Sequence, residues 1–131
     1  MNKIAIVEDD QGYRDTLFTY IKQYGQERDT AFEAVPFEKA DDFLAVYNGD
    51  YDIILMDIMM PKMDGHQAAK AIRAMYADRS DAEEIPIIAL SANAFSEDVQ
   101  ASLDAGMNGH VSKPLNVAEV AKVIARNLNK S

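Results

Sequence analysis

Four places along the chain carry polar residues of a kind that could do chemistry together. They are Glu8-Asp9-Asp10, Asp57, Ser91, and Ser112-Lys113. Each follows or closes a short apolar run, so each stands where a strand would end. If those ends share one rim, three or four carboxylates converge beside a hydroxyl and an ammonium group. Such crowding is costly unless a cation offsets the repulsion. The carboxylate and hydroxyl donors are all oxygen, with no cysteine in the chain and no histidine within the four groups. That set favours magnesium over zinc, held by Glu8 and Asp9 with room left for water or a phosphoryl oxygen. A carboxylate at a rigid strand end can attack phosphorus to form an acyl phosphate. Asp57 best fits that nucleophile, Lys113 would meet one phosphoryl oxygen with a compact positive charge, and Ser91 would turn a hydroxyl toward another. Strand ends are also turns, where Asp and Ser serve as caps, and Asp10 taken alone reads more readily as an N-cap than as a ligand.

The elements that must position these residues alternate from end to end. Ile4 to Val7 forms a first strand, and Tyr13, Leu17, Tyr20, Ile21 and Tyr24 make an apolar stripe on the helix after it, with Gly25 expected to end that helix. Phe32, Ala34 and Pro36 are expected on one face of a second strand, and the proline argues for an edge position. Ala40, Phe43, Leu44 and Tyr47 mark a second helix. Asn48-Gly49-Asp50 is turn chemistry before Ile53-Ile54-Leu55-Met56, a strand apolar on both faces. Asp64-Gly65 opens a third helix with Ala68, Ala69, Ile72, Met75 and Tyr76 inward. A strand over 86–90 follows a polar loop. Ser96 is placed to cap a fourth helix and Gly106 to close it. A strand over 109–112 then precedes a last helix, where Asn116 and Glu119 suggest a capping box and Val117, Val120, Ala121, Ile124 and Leu128 face inward.

Strict alternation over 131 residues predicts one domain spanning 1–131. Its class is α/β: a flavodoxin-like (βα)5 three-layer sandwich around a five-stranded parallel sheet in the order 2-1-3-4-5. Ligands in such sheets sit beyond the carboxyl ends of the strands, near the reversal of strand order, which is where the polar residues fall.

In combination the motifs resemble the receiver domain of bacterial two-component response regulators. The resemblance rests on Ile-Val-Glu-Asp-Asp at 6–10, Met-Asp-Ile-Met-Met-Pro-Lys-Met-Asp-Gly at 56–65, Leu-Ser-Ala-Asn-Ala at 90–94 and Ser-Lys-Pro-Leu at 112–115. It implies that Glu8 and Asp9 are the acidic pair, Asp57 the phosphorylated aspartate, Ser91 the switch hydroxyl and Lys113 the phosphate-contacting lysine. Met59 would lend magnesium its backbone carbonyl, and the Lys113-Pro114 bond is a candidate cis peptide. The phosphoryl group would come from a phosphohistidine on a sensor histidine kinase or phosphotransfer protein, with self-modification the only catalysis. The implied output face is helix four, strand five and helix five, which is also the candidate homodimer surface. His110 departs from the family, standing where a rotating Tyr or Phe is usual. An imidazole there can serve as a switch, and a passive surface histidine is an equal alternative.

Composition excludes several other classes. A formal charge of −9 argues against direct nucleic-acid binding by this chain. The four apolar residues before Glu8 are too few for a signal peptide or membrane span, so a soluble, cytoplasmic protein is expected. An aspartate-nucleophile phosphatase would carry a second Asp two residues after the first, where Met59 stands. A nucleotide binder would need an open glycine loop where Glu8-Asp9-Asp10 lies. The methionines at 56, 59, 60 and 63 read as apolar packing rather than soft-metal ligands, and His66 as solvent-facing. Features of two receiver types are mixed. The first half resembles receivers attached to LytTR-type DNA-binding domains, and Gly-Met-Asn-Gly-His at 106–110 resembles hybrid-kinase receivers, so a stand-alone receiver and a fragment of either stay open.

Overall fold

The computed structural model describes residues 2–47, 51–57, 69–71, 85–91, 103–104, 107–113 and 115–128. Five strands, β1 (Asn2–Val7), β2 (Phe32–Phe37), β3 (Ile53–Asp57), β4 (Ile87–Ser91) and β5 (Gly109–Ser112), form one sheet in the order β2-β1-β3-β4-β5. Every pairing is parallel. This is the expected flavodoxin-like winding, with strand order reversing between β1 and β3.

The two-residue period of the strands divides the core into two layers. Ile4, Ile6, Ile53, Leu55, Ile88 and Leu90 point toward α1 (Gln11–Glu27) and the last helix (Val117–Leu128), where they meet Leu17, Ile21, Val120 and Ile124. Ala5, Val7, Ile54, Met56, Ile87 and Ala89 point the other way, toward Phe43 and Tyr47 at α2 (Ala40–Val46) and toward Ala69. β3 is therefore buried along its whole length. A fully buried aliphatic side chain contributes roughly 1.5–3 kcal/mol, so this doubly covered strand is the firmest support a functional residue could have.

α1 begins where Asp10 Oδ1 accepts a hydrogen bond from the Tyr13 N–H at 3.0 Å, so the N-cap reading of Asp10 holds. Its end departs from expectation. Gly25 lies inside the helix, which closes instead at Arg28 and Asp29, the latter in the left-handed region at φ 51°. The glycine is needed for space: a Cβ there would lie 2.6 Å from the Thr30 carbonyl oxygen and 2.9 Å from the Phe32 ring.

β2 is an edge strand, as its proline suggested. Pro36 is exposed, however, and does not share the inward face of Phe32 and Ala34. Val35 and Phe37 pack on the opposite layer, because an edge strand between two helical layers has two apolar sides to cover. Phe37, Phe43, Tyr47 and Tyr51 stack there in a chain of ring contacts 5.1 to 6.1 Å apart.

The last helix is capped by Asn116, whose Oδ1 accepts from the Ala118 and Glu119 N–H groups at 2.9 and 3.2 Å. The reciprocal half of a capping box is replaced: Glu119 Oε1 accepts from the Ser112 N–H at 3.4 Å and ties the helix to the end of β5. Val117 is 41% exposed rather than inward. The buried stripe runs through Val120, Val123, Ile124 and Asn127, since a helix entered at Asn116 points its first residue away from the sheet. Within the described residues, no helix is long and apolar enough to cross a membrane. The expectations for Asn48 to Asp50, Asp64-Gly65, Ser96, Gly106, His66 and Met59, Met60 and Met63 lie outside the described residues.

Candidate functional site

β1, β3 and β5 end on the same carboxyl rim of the sheet, and those ends bring the charged residues together. Asp57 is the last residue of β3 and is 2% exposed; Glu8 directly follows β1 and is fully buried; Asp9 beside it is exposed. One carboxylate oxygen from each of Glu8, Asp9 and Asp57 falls within 4.8 Å of the others. Lys113, one residue past β5, reaches in between, with its Nζ 2.6 Å from Glu8 Oε1 and 3.5 Å from Asp57 Oδ2.

The backbone holds these groups firmly. The Glu8 N–H donates to the Phe37 carbonyl at 3.0 Å, extending the β1–β2 ladder one residue beyond the strand. Arg14 Nη1 donates to the Glu8 carbonyl at 2.9 Å, and the Asp10 N–H to Glu8 Oε2 at 3.3 Å. Asp57 sits in register with Leu90, so Ser91 lies one residue further along the neighbouring strand, itself paired with Ser112. Ser91 closes β4 rather than following it, and its backbone is on the same rim.

Two buried carboxyls share one ammonium group, and the electrostatics follow from that imbalance. Burial, reinforced by the hydrogen bond and charge of Asp57, pushes the Glu8 carboxyl up from 4.5 to about 8, and Lys113 pulls it back only in part. Burial works against the charge on Lys113, but Glu8 and Asp57 outweigh it and hold its pKa above the ordinary lysine value. With no cation in the cluster, Glu8 is thus drawn toward its protonated form while Lys113 stays charged, and a 2.6 Å contact suits a charged donor on a carboxyl oxygen in either state.

Glu8 Oε1 is fully buried, and apart from the Lys113 contact it has no hydrogen-bond partner among the described residues. Three carboxylates within 4.8 Å of one another, two of them buried and sharing a single ammonium, fit a hard divalent cation of the magnesium kind, with Glu8, Asp9 and Asp57 as the residues that would hold it. Met59, expected to add a carbonyl, lies outside the described residues, as does Pro114 with its candidate cis bond. His110 stands on β5 opposite Ala89, away from the carboxylates in register, with its Nε2 buried and lacking a hydrogen-bond partner among the described residues.

Two neighbours of the site were not singled out from the sequence. Arg14 grips the backbone of Glu8, and the Tyr13 ring lies 4.3 Å from Lys113 Nζ. Helical spacing placed Tyr13 in the apolar stripe of α1, yet it belongs to neither core cluster. The available signal was its position three residues after the N-cap, in the turn of the helix nearest the rim.

Known proteins share this arrangement. Residues 4–125 match the response regulator receiver domain family. Sensor protein GacS of Pseudomonas syringae pv. syringae is 39% identical over 82 residues, 63% of this chain and 9% of that protein. Hybrid signal transduction histidine kinase L of Dictyostelium discoideum is 34% identical over 130 residues, 96% of this chain and 7% of that protein. The chain therefore spans less than a tenth of either curated relative. Among solved structures, the receiver domain of sensor histidine kinase PA1611 from Pseudomonas aeruginosa PAO1 has a TM-score of 0.81 and 28% identity, covers 98% of each chain, and holds a magnesium ion in its active-site cleft. Chemotaxis response regulator CheY4 of Vibrio cholerae also has a TM-score of 0.81, at 25% identity, over 98% of this chain and 99% of that one. With the five-stranded parallel sheet and the acidic rim already in place, these matches establish that the chain belongs to the response regulator receiver domain family of two-component signalling, related to the receivers of histidine kinases.

Proposed function

We propose that the chain is a phosphoryl-accepting switch, one receiver unit spanning 1–131, in which Asp57 takes the phosphoryl group from a phosphohistidine on a sensor histidine kinase or phosphotransfer protein. The observation that carries this reading is the placement of Lys113 between two buried carboxyls, one of them ending a strand buried along its whole length. An Asp57 carboxylate oxygen attacks phosphorus, a new O–P bond forms, and the P–N bond to the donor imidazole breaks with its electron pair leaving on nitrogen. Lys113 meets the charge on a phosphoryl oxygen, and Ser91 offers its hydroxyl to another. Glu8 and Asp9, with Asp57 and the Met59 carbonyl, would hold magnesium, which would supply charge neutralisation for the transferring group.

Signal output needs a second arrangement that the phosphorylated form favours. Ser91 and Lys113 drawn toward the new phosphoryl group would bias the fourth helix and β5, with His110 as the side chain that exchanges partners on β5. The face formed by the fourth helix, β5 and the last helix then meets an output partner or a second copy. The reading places the chain in the cytoplasm and leaves its catalysis at self-phosphorylation and dephosphorylation. The test is mass spectrometry after incubation with acetyl phosphate and magnesium. One added phosphate mapping to residue 57, absent in Asp57→Asn, is expected; an adduct elsewhere, or none, overturns it.

A further inference from the structure

The ammonium of Lys113 is the shared partner of every buried carboxyl at the site, yet its stem is four flexible carbons and it follows the end of a strand. Something must keep it pointed inward. Its Nζ has two oxygen contacts, Glu8 Oε1 at 2.6 Å and Asp57 Oδ2 at 3.5 Å. Its third neighbour is the half-buried ring of Tyr13, 4.3 Å from Nζ to centroid. That ring is set by the first turn of α1, where the Tyr13 N–H donates to the Asp10 cap at 3.0 Å and Arg14, the next residue, grips the Glu8 carbonyl at 2.9 Å. Tyr13 therefore moves with the acidic loop rather than with the hydrophobic layers, of which it forms no part among the described residues.

We propose that Tyr13 is a positioning residue for Lys113: its ring face holds the ammonium inside the site. A ring attracts a cation through its π-electrons but offers no lone pair to fix an N–H donor, so a stronger oxygen acceptor can take that donor over. Among the described residues one donor serves Glu8, one faces Asp57, and the third has no oxygen partner and can turn to an incoming phosphoryl oxygen. A carboxylate in the place of Tyr13 would hold the charge more tightly but would take that third donor and add to the negative charge that already pushes Glu8 upward. An aliphatic residue would leave the ammonium held by its two carboxyl contacts alone. The inference rests on the phosphoryl-transfer reading of the same site and assigns a residue that the reading does not need.

The test is the rate of adduct formation from acetyl phosphate with magnesium, in wild type, Tyr13→Phe and Tyr13→Leu, each repeated with Lys113→Met. Tyr13→Leu should slow the reaction by about fivefold, as expected from loss of a partly desolvated cation–π contact. Tyr13→Phe should stay within about twofold of wild type, because it keeps the ring. In the Lys113→Met background, Tyr13→Leu should add no further slowing, since the two residues act through one contact. Equal slowing by Leu and Phe, an unchanged rate in Leu, or a Leu effect undiminished without Lys113 would each overturn the proposal. Calorimetry shows whether each variant melts cooperatively, and Tyr13→Met repeats the comparison if Leu does not. A wild-type protein that forms no adduct removes the function itself; a wild-type adduct with an indifferent Tyr13 removes only this inference.

Discussion

The two rims of the sheet carry the same three residue types in contact, a lysine, an aspartate and a tyrosine, and only one of them withdraws its charges from water. At the amino rim the Lys3 N–H donates to Asp52 Oδ2 and the Asp52 N–H to the Lys3 carbonyl, both at 2.7 Å, while Lys3 Nζ lies 4.8 Å from the Tyr51 ring. There the aspartate is exposed and its carboxylate is spent on backbone. At the carboxyl rim Asp57 is 2% exposed, and Lys113 is shared between it and Glu8. Charges in water are screened and contribute little, whereas charges withdrawn from water must be compensated by one another, by protons or by a cation. What separates the two rims is the burial of like charges together, and residue type does not reveal it.

Substituting the paired positions on the two rims exposes that difference most sharply. Asp57→Asn should abolish the acetyl phosphate adduct in mass spectra, while Asp52→Asn should leave it at the wild-type level; a lost adduct in Asp52→Asn would erase the distinction. Lys113→Met should slow adduct formation by about 10²-fold, the usual scale for removing one preorganised electrostatic contact. Lys3→Met should shift stability by no more than about 0.5 kcal/mol and leave the rate alone, as a surface change does.

Magnesium sharpens the comparison further. At about a hundred times its dissociation constant it should stabilise the folded form by about 2.7 kcal/mol, a rise of several degrees in melting temperature by calorimetry. Asp9→Asn should remove most of that rise, and Asp52→Asn none of it.

The smallest effect is on pH, and its sign follows from Glu8. The folded carboxyl keeps its proton up to about 8, and the unfolded one loses it near 4.5. Protonated Glu8 therefore favours the folded form fully below the ordinary value, and that advantage is lost as pH rises through about 8. Without magnesium the melting temperature should fall by roughly 3 °C or more between pH 5 and pH 8. Glu8→Gln should flatten the slope, and magnesium should flatten it in wild type by replacing the proton. A slope unchanged in Glu8→Gln would place the titration elsewhere.

Much of the architecture was legible because strand and helix periods act locally. Ile53 to Met56 reads as a doubly buried strand from composition alone, and the edge position of β2 follows from a proline that cannot donate to a ladder. The misreadings have local causes as well. Gly25 looked like a helix terminator because glycine commonly is one; its actual role, clearance for the Thr30 carbonyl and Phe32 ring, depends on where β2 returns. Val117 looked inward because it is apolar, but the direction in which the chain enters the last helix turns it out.

The sequence by itself determined which groups the protein possesses: acidic residues after the first apolar run, an aspartate ending the third, a serine ending the fourth, a lysine just past the fifth. Their order is covalent, and the strand ends they mark are set by short-range patterning. Only the tertiary structure decided that Glu8 and Asp57 share the ammonium of Lys113, that burial holds the Glu8 carboxyl above its ordinary range, and that Tyr13 faces a charge instead of a core. Those outcomes depend on distance and on exclusion of water between residues as many as 105 positions apart, from 8 to 113, and the packing of the sheet alone sets both.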